Sequence, residues 1–399
     1  MKKIFEFDVF VLLVLHTIAP AVIYYLFGFR YEYAPVDEKY VYFAAILIGI
    51  ILISVLLVVL LFSRNRKEIT VEDLYKSQYL QGRAPEYMFM LALIINVLNI
   101  LKSGGFEGVL NGNTNSTIIS YLQFFLDIRV LYYCVLIKAY REANVNKICF
   151  VSICYLLITL MYSSRSGILW MILLNVWIIC GIRISPKIKK KIKLIIFFAL
   201  ISSPLLFMFA TNSRSGEKHT VDYIAHKLVA RISFDEIAGI ELEQFIEERY
   251  DKTVFEEKYA LLNQGKQIVN AIVPGDIFDS DVQPNQYWRA IFAGWNVELC
   301  KVHYMSMTSI FPMYLILKYG YIIGVIVSIS SICAMYYCIS KMKDPTIKVF
   351  LVGIVFYTVF QYFDWCYHFQ DMLCFVLTFF SLRKVGKITS TLRFGNIKL

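Results

Sequence analysis

Long apolar runs recur along the whole chain and limit its fold more than any other feature. A helix needs about 20 predominantly apolar residues to cross the hydrocarbon core of a bilayer, and by that rule ten segments qualify as membrane helices. They are residues 8–27, 40–62, 86–101, 117–137, 147–162, 166–182, 192–210, 320–340, 346–363 and 369–382. The sequence therefore predicts an all-α polytopic membrane protein with about ten transmembrane helices.

The composition supports this prediction and excludes a soluble domain. The 399 residues are 58% hydrophobic and 18% charged, and the mean hydropathy is +0.59. These values are far outside the range of soluble domains. The net charge of +10 comes from short basic clusters between the apolar runs, so it indicates membrane topology rather than nucleic-acid binding. The nine cysteines fall mostly inside apolar runs without metal-type spacing, which favours a packing role.

The distribution of basic residues predicts the orientation. With the N-terminus inside, most of the 40 basic residues fall in short cytoplasmic segments. These are residues 2–3, 64–83, 138–147, 183–193, 341–348 and 383–398. This bias predicts that both termini are cytoplasmic and that the number of spans is even. The first apolar run has no small-residue cleavage site after it, so we interpret it as a retained helix.

The same orientation predicts three parts of the chain: residues 1–210 with seven spans, a large outer loop at 211–305, and a last part at 306–399. Helical spacing in the first half of the loop, residues 221–271, predicts a mainly helical structure there. The apolar piece at 306–318 is too short to span, which predicts an interfacial or re-entrant helix before the eighth span. Three spans and a cytoplasmic tail complete the last part.

One tetrapeptide occurs twice at predicted outer ends of membrane helices. Ser164-Arg165-Ser166-Gly167 precedes the sixth span, and Ser213-Arg214-Ser215-Gly216 follows the seventh. A serine-capped helix start with a neighbouring arginine suits a phosphate anion. The alternative is that both arginines only anchor helix ends at the membrane surface.

The long loop carries further charged and titratable residues. They are His219, His226, Arg231, Asp235, Glu236, Arg249, Arg289 and His303. The alternative to a functional role is a solvated helix with ordinary ion pairs. No metal-binding motif is present, so the sequence predicts no metal. Within the fourth span, Asp127 and Arg129 are two positions apart, and we expect them not to pair with each other.

Three stretches in the predicted topology resemble the Wzy-type polymerases of bacterial surface polysaccharides. They are Ser164 to Gly167 at a helix start, Val273-Pro274-Gly275-Asp276-Ile277-Phe278 with Pro284 in the loop, and Met307 to Gly324 at the entry to the eighth span. The chain departs from the family at Gly275, where a basic residue is common. It also lacks the Arg-x10-Gly pattern of some members.

This resemblance implies a GT-C-like glycosyltransferase in the bacterial cytoplasmic membrane that builds O-antigen or capsule on the outer face. Donor and acceptor would both be glycans on undecaprenyl pyrophosphate, and a chain-length regulator is a candidate partner. We hypothesise that Arg165 and Arg214, with Arg231 or Arg289, hold the pyrophosphate, so that no metal or other cofactor is needed. His303, or Asp235 with Glu236, would be the catalytic base.

Three alternatives remain open at this point. An O-antigen ligase uses the same donor with a different acceptor, and a flippase or exporter moves the lipid-linked unit without reaction. A membrane acyltransferase would need a histidine deep in a span with polar neighbours. His16 lies deep in the first apolar run, but the sequence shows no polar partner near it.

Overall fold

A computed structural model describes the helical framework of the chain. It covers residues 2–29, 34–62, 69–103, 122–162, 165–215, 220, 222–226, 235–250, 265–266, 269–270, 289–290, 292, 294, 296, 299, 309–354, 360 and 365–395. We number its principal elements in chain order. They are α1 Lys2–Leu13, a π-helical turn Val14–Ile18, α2 Ala19–Phe27, α3 Glu38–Phe62, β1 Ile69–Thr70, α4 Val71–Tyr75, α5 Ala84–Lys102, α6 Ile128–Arg141, α7 Val145–Met161, α8 Arg165–Gly181, β2 Ile182–Arg183, α9 Pro186–Ser215, α10 Asp235–Ile246, α11 Phe311–Tyr319, α12 Tyr321–Lys341, α13 Pro345–Ile354 and α14 Trp365–Gly395.

The predicted all-α membrane class is confirmed. In the part of the chain that the structure describes, five helices are long and apolar enough to cross a membrane. They are Phe5–Phe27, Glu38–Leu61, Ala84–Lys102, Ile188–Phe209 and Tyr321–Lys341. Val145–Met161 and Gly167–Gly181 are shorter apolar helices. The count of ten spans stays a prediction, since the fourth and ninth predicted spans lie partly outside the described residues.

The first span contains a π-helical turn directly before a proline. Pro20 has no backbone N–H, and its ring collides with the preceding turn of a regular helix. The π turn Val14–Ile18 widens the helix just ahead of it. His16 lies in this turn, is buried, and packs its ring against Phe360 at a centroid distance of 5.0 Å.

The central helix of the bundle is α6, in which every residue from Val130 to Tyr140 is buried. A helix that is covered on all sides needs partners for its polar groups. The hydroxyl of Tyr133 donates to the carbonyl oxygen of Thr346 at 2.7 Å, and that of Tyr140 donates to Asn175 at 2.9 Å. Asn175 in turn donates to the Tyr132 hydroxyl at 2.9 Å. These bonds connect α6 to α8 and to the start of α13.

Segments that the charge pattern places on the cytoplasmic side meet at one end of the bundle. Strands β1 and β2 pair in parallel, with Thr70 beside Arg183. Lys138 and Lys147 both bind Glu86, at 2.5 Å and 2.7 Å. These contacts, with the bond of Lys138 to the Gly82 carbonyl oxygen, bring the predicted inner segments 64–83, 138–147 and 183–193 to one end, and the assignment of that end to the cytoplasm stays a prediction.

A short helix, α11, precedes the eighth predicted span and forms a tight hairpin with α12, while its predicted interfacial or re-entrant location stays a prediction. Gly320 joins the two helices at a φ of 81°, a left-handed conformation that favours glycine. A Cβ on Gly324 would lie 2.6 Å from the Ile316 Cα, so the glycine allows the backbones to approach closely. Residues Phe311 to Leu317 are buried, so α11 is packed inside the protein.

Candidate functional site

The long segment after α9 returns to the membrane helices through helix α10, which packs on the first turns of α3. Gly239 allows the contact, because a Cβ there would lie 2.6 Å from Val41 Cγ2 and 3.0 Å from the Val41 backbone. Helix α10 carries three buried carboxylates. Asp235 and Glu236 are each 1% exposed, and Glu241 is fully buried. A buried carboxylate is stable only when it is paired or hydrogen-bonded, so their partners define the site.

Asp235 and Glu236 connect α10 to the chain around the end of the first span. The Tyr24 hydroxyl, on α2, donates a short hydrogen bond to Asp235 Oδ2. The backbone N–H of Ala34 donates to Glu236 Oε1 at 3.3 Å. Asp235 therefore joins the loop helix to the first span, and Glu236 joins it to the connection between the first and second spans.

His226 binds the same region from the preceding part of the loop. Its Nε2 lies 2.6 Å from the Gly28 carbonyl oxygen, and its Nδ1 lies 2.8 Å from the Asp222 carbonyl oxygen. The ring also packs against Tyr24 at a centroid distance of 6.3 Å. His226 is thus a buried part of the contact between loop and span.

The opposite side of α10 contacts the α11–α12 hairpin. Ser309 donates to Glu241 Oε2 at 2.9 Å, directly before α11 begins. The Tyr250 hydroxyl donates to the Leu317 carbonyl oxygen at 2.9 Å, near the end of α11. Helix α10 therefore lies between the first two spans and this hairpin, and it links the beginning of the chain to its last third.

Two carboxylates at the edge of this contact have shifted pKa values. Partial burial, with the negative charge of Glu247, raises the pKa of the Glu243 carboxyl. Hydrogen bonds from Lys39 lower the pKa of the exposed Asp37 carboxyl, just before α3. The edge of α10 thus brings two carboxyl groups, Glu243 and Glu247, close together, and Lys39 in the first turn of α3 supplies a neighbouring cation.

The structure describes the helices that carry the predicted pyrophosphate arginines. Arg165 is the first residue of α8, as expected for a helix start at the membrane edge. Arg214 lies inside the last turn of α9, because this helix continues to Ser215 instead of ending near residue 210. The side chains of both arginines lie outside the described residues.

The two arginines lie on consecutive helices of different length, α8 and α9, which pack against each other. Arg165 is 16 residues from the last residue of α8, Gly181, and Arg214 is 28 residues from the first residue of α9, Pro186. Helix α9 also contains Pro204, and an interior proline bends a helix. The two arginines are therefore separate tests of the pyrophosphate hypothesis.

The other predicted site residues divide into two groups. Asp235 and Glu236 lie together in the buried contact described above, and Arg289 is half-buried. Arg231 and His303 lie outside the described residues. The burial of the two carboxylates and their bonds to Tyr24 and Ala34 give them an anchoring function, and their role as base stays a prediction.

A second polar cluster joins α6 to α14 and corrects one expectation. Arg129 binds Asp371 through two nitrogens, at 2.6 Å and 3.1 Å, and it also binds Asp127 at 2.7 Å. We expected Asp127 and Arg129 not to pair, which assumed that both lie within one helix. Asp127 instead caps the N-terminus of α6 with an extended backbone, so its side chain turns back to Arg129.

The residues of this second cluster could be identified only in part from the sequence. Asp127 and Arg129 could be identified because they are charges inside a predicted span. Their pairing with Asp371 could not be predicted, because Asp371 is 242 positions away from Arg129. Arg129 also lies over the Phe375 ring at 4.8 Å. Within the described residues, no group of three or more histidine, cysteine or acidic side chains is placed to hold a metal ion.

Together, the fold and this geometry define a helical membrane protein with a loop helix anchored by buried carboxylates. Comparison with family models, with curated proteins and with solved structures gives no match.

Proposed function

We propose that this protein is a polysaccharide polymerase that joins lipid-linked repeat units at the outer face of the bacterial cytoplasmic membrane. The resemblance of three stretches to Wzy-type polymerases is the basis of the proposal. The structural observation that supports it best is the docking of α10 between the first two spans and the α11–α12 hairpin. Such docking holds part of the long loop over the ends of membrane helices, where a lipid-linked sugar chain would lie.

The chemistry requires that a sugar hydroxyl of one repeat unit attacks the anomeric carbon of another. The bond to undecaprenyl pyrophosphate breaks, and the pyrophosphate leaves with both bonding electrons. Arginines at the membrane edge stabilise the leaving charge, and a base accepts the hydroxyl proton. In this proposal Arg165 is the first arginine at the pyrophosphate, because it begins a helix at the predicted outer surface.

The buried contact around Asp235 has a positioning function in this proposal. A docked α10 keeps the loop residues near the membrane, including those that would contact sugars. The base must be a loop residue that reaches the substrate, and in this proposal His303 is the first choice. Asp235 and Glu236 are second, because each is almost fully covered.

The test is polymer length in cells that lack their own polymerase and carry this chain with its cognate repeat unit. We expect Arg165→Ala to reduce polymer formation by about 100-fold or more, as for the loss of one group that stabilises charge in a transition state. Arg165→Lys should retain part of the activity. Arg214→Ala tests the second arginine separately, and immunoblots confirm the amount of each variant in the membrane.

Arg249→Ala is the matched control, because Arg249 lies in the same predicted outer loop as Arg214, pairs with Glu247 and has a side chain that is 58% exposed. It should leave polymer length unchanged. Normal polymers from both Arg165→Ala and Arg214→Ala would refute the pyrophosphate assignment. Transfer to a different acceptor, without any lipid-linked polymer, would identify a ligase instead.

A further inference from the structure

A cavity of about 650 Å³ opens at the end of the bundle that the charge pattern places in the cytoplasm. Two segments line it. Ile69, Thr70, Asp73, Lys76 and Gln78 come from the connection between α3 and α5. Lys343 and Asp344 come from the connection between α12 and α13, and Pro345 and Lys348 come from the first turn of α13. The volume is in the range of small-molecule sites.

Hydrogen bonds hold the two walls together. Ser77 donates to Asp344 Oδ1 at 3.1 Å, and Thr346 donates to the Ser77 hydroxyl at 2.9 Å. The parallel pairing of β1 with β2 fixes the first wall against the end of α8 and places Arg183 next to Thr70. The cavity is therefore part of the folded framework and not a gap between loose segments.

The two aspartates of the cavity are bound by their own helices. Asp344 accepts backbone N–H groups of Thr346 at 2.8 Å and of Ile347 at 3.3 Å at the start of α13. Asp73 accepts the backbone N–H of Thr70 at 2.9 Å and its hydroxyl at 2.8 Å. Cap bonds of this kind offset carboxylate charge by the positive end of the helix dipole.

Two lysines at the cavity, Lys76 and Lys343, have side chains exposed to solvent. Lys343 is exposed, and Lys76 has a side chain that is 81% exposed and lies 3.9 Å from Asp73, the outer limit of an ion pair. With Lys348 and the neighbouring Arg183, they give the cavity a positive potential toward solvent. Ammonium groups around a polar cavity suit a phosphate group, and basic pockets at the cytoplasmic ends of membrane helices bind lipid headgroups.

We propose that this cavity binds a phosphate-bearing anion at the cytoplasmic end of the bundle, separate from the site of polymerisation. The phosphate belongs either to the headgroup of an anionic phospholipid or to a soluble phosphate compound. Lys76 and Lys343 contact it, and the two capping aspartates hold the walls that carry these lysines. The proposal does not depend on the function proposed above.

Chemical labelling of lysines in the purified full chain tests the proposal locally. Lys76 and Lys343 are labelled with acetic anhydride in phosphatidylcholine nanodiscs, with or without inorganic phosphate, and in phosphatidylglycerol nanodiscs. Peptide mass spectrometry then measures how fast each lysine is labelled. Lys190 and Lys191 are the control, because they are exposed on α9 at the same predicted membrane face. At about ten times the dissociation constant of the ligand, labelling of the cavity lysines should slow about tenfold.

The lipid arms identify the source of the phosphate. Selective protection of Lys76 and Lys343 in phosphatidylglycerol alone identifies a lipid headgroup, and selective protection by inorganic phosphate in phosphatidylcholine identifies a soluble compound. Equal protection of Lys190 and Lys191 means general surface attraction and overturns the proposal. The absence of protection in both arms also overturns it.

A pair of double variants gives an independent readout. Lys76→Gln with Lys343→Gln should abolish the rise in melting temperature caused by whichever ligand protects the lysines. Lys190→Gln with Lys191→Gln removes the same charge from the same face and should retain that rise. If both pairs lose it equally, or neither does, the cavity is not the binding site.

Discussion

Tyr24, near the end of the first membrane helix, donates its hydroxyl hydrogen to the buried carboxylate of Asp235, 211 positions later in the chain. This bond joins the first span to helix α10 of the long loop. It lies beside the close contact of Gly239 with Val41 and the bond of His226 to Gly28. The loop helix is thus attached at a small number of positions that single substitutions can test.

Removal of the Tyr24 hydroxyl should weaken this attachment. Tyr24→Phe leaves the ring in place but deletes one hydrogen bond to a buried carboxylate, so we expect a loss of about 1–3 kcal/mol in stability. Tyr25→Phe is the matched control, because the Tyr25 side chain is 88% exposed. Apparent melting temperatures in detergent check the result, and equal values for wild type, Tyr24→Phe and Tyr25→Phe would contradict the anchoring role.

Measuring stability and activity together distinguishes an anchoring role of Asp235 from a catalytic one. If Asp235 is an anchor, Asp235→Ala removes the acceptor of the Tyr24 hydroxyl and lowers the melting temperature and the polymer yield together. If Asp235 is a catalytic base, Asp235→Asn keeps an acceptor oxygen for Tyr24 but accepts no proton from the substrate, so it abolishes polymerisation at a nearly unchanged melting temperature. The burial of Asp235 leads us to expect the first result.

A methyl group at Gly239 should separate α10 from α3. Ala at this position would overlap Val41, including backbone atoms that cannot rotate away, so we expect a cost of about 1–3 kcal/mol for Gly239→Ala. Gly265→Ala is the control, because a Cβ there meets no atom within 4 Å. Limited proteolysis of the loop measures the effect: Gly239→Ala should be cleaved faster than wild type, and cleavage at the control rate would disprove the tight contact.

Loss of Arg129 should destabilise the junction of α6 and α14. Arg129→Gln removes the cation between Asp127 and Asp371 in a partly buried cluster, where the Arg129 side chain is 24% exposed. We therefore expect a cost above that of an exposed pair and below the roughly 3–5 kcal/mol of a fully buried one. Arg249→Gln breaks the exposed pair with Glu247 and should cost less than about 1 kcal/mol. Thermal stability of both variants in detergent gives the comparison, and a stable Arg129→Gln would show that the cluster contributes little.

The raised pKa of Glu243 predicts a pH-dependent contribution to stability. The folded state holds the Glu243 proton more firmly than the unfolded state, because of partial burial and the charge of Glu247. Relative to Glu243→Gln, the wild type therefore loses stability as the pH rises from the ordinary glutamate pKa through the raised value. Melting curves from pH 4 to pH 8, as a rough range around that pKa, should show the variant gaining at the upper end. Glu248→Gln, on an exposed turn, is the control.

The sequence was sufficient for the all-α membrane class and for a short helix before the eighth predicted span, because apolar runs determine these features locally. It did not predict where α6 begins or how far α9 continues. It predicted a helical first half of the loop, and the described part of it contains α10, which ends at Ile246 before a turn at Glu248 with a φ of 51°. It did not predict the burial of Asp235 and Glu236. A local charge pattern does not show which distant segment, here the region from Tyr24 to Val41, will cover a helix face.

The pairing of Asp127 with Arg129 was predicted wrongly for a related reason. Helical spacing separates side chains at positions i and i+2, but Asp127 is the capping residue and does not follow that spacing. Its true partners include Thr378, whose hydroxyl accepts the Asp127 backbone N–H at 2.9 Å from the far end of the chain. Contacts between distant segments of this kind are set by packing and are not visible in the local sequence.

The most direct test of the proposed function is product analysis in a reconstituted bilayer. Purified chain in proteoliposomes receives one undecaprenyl-pyrophosphate-linked repeat unit as both donor and acceptor. We predict lipid-linked polymers of two or more repeat units together with released undecaprenyl pyrophosphate, and a strong reduction of both by Arg165→Ala. Movement of the unchanged repeat unit across the bilayer, with no new glycosidic bond, would contradict a polymerase and identify a transporter.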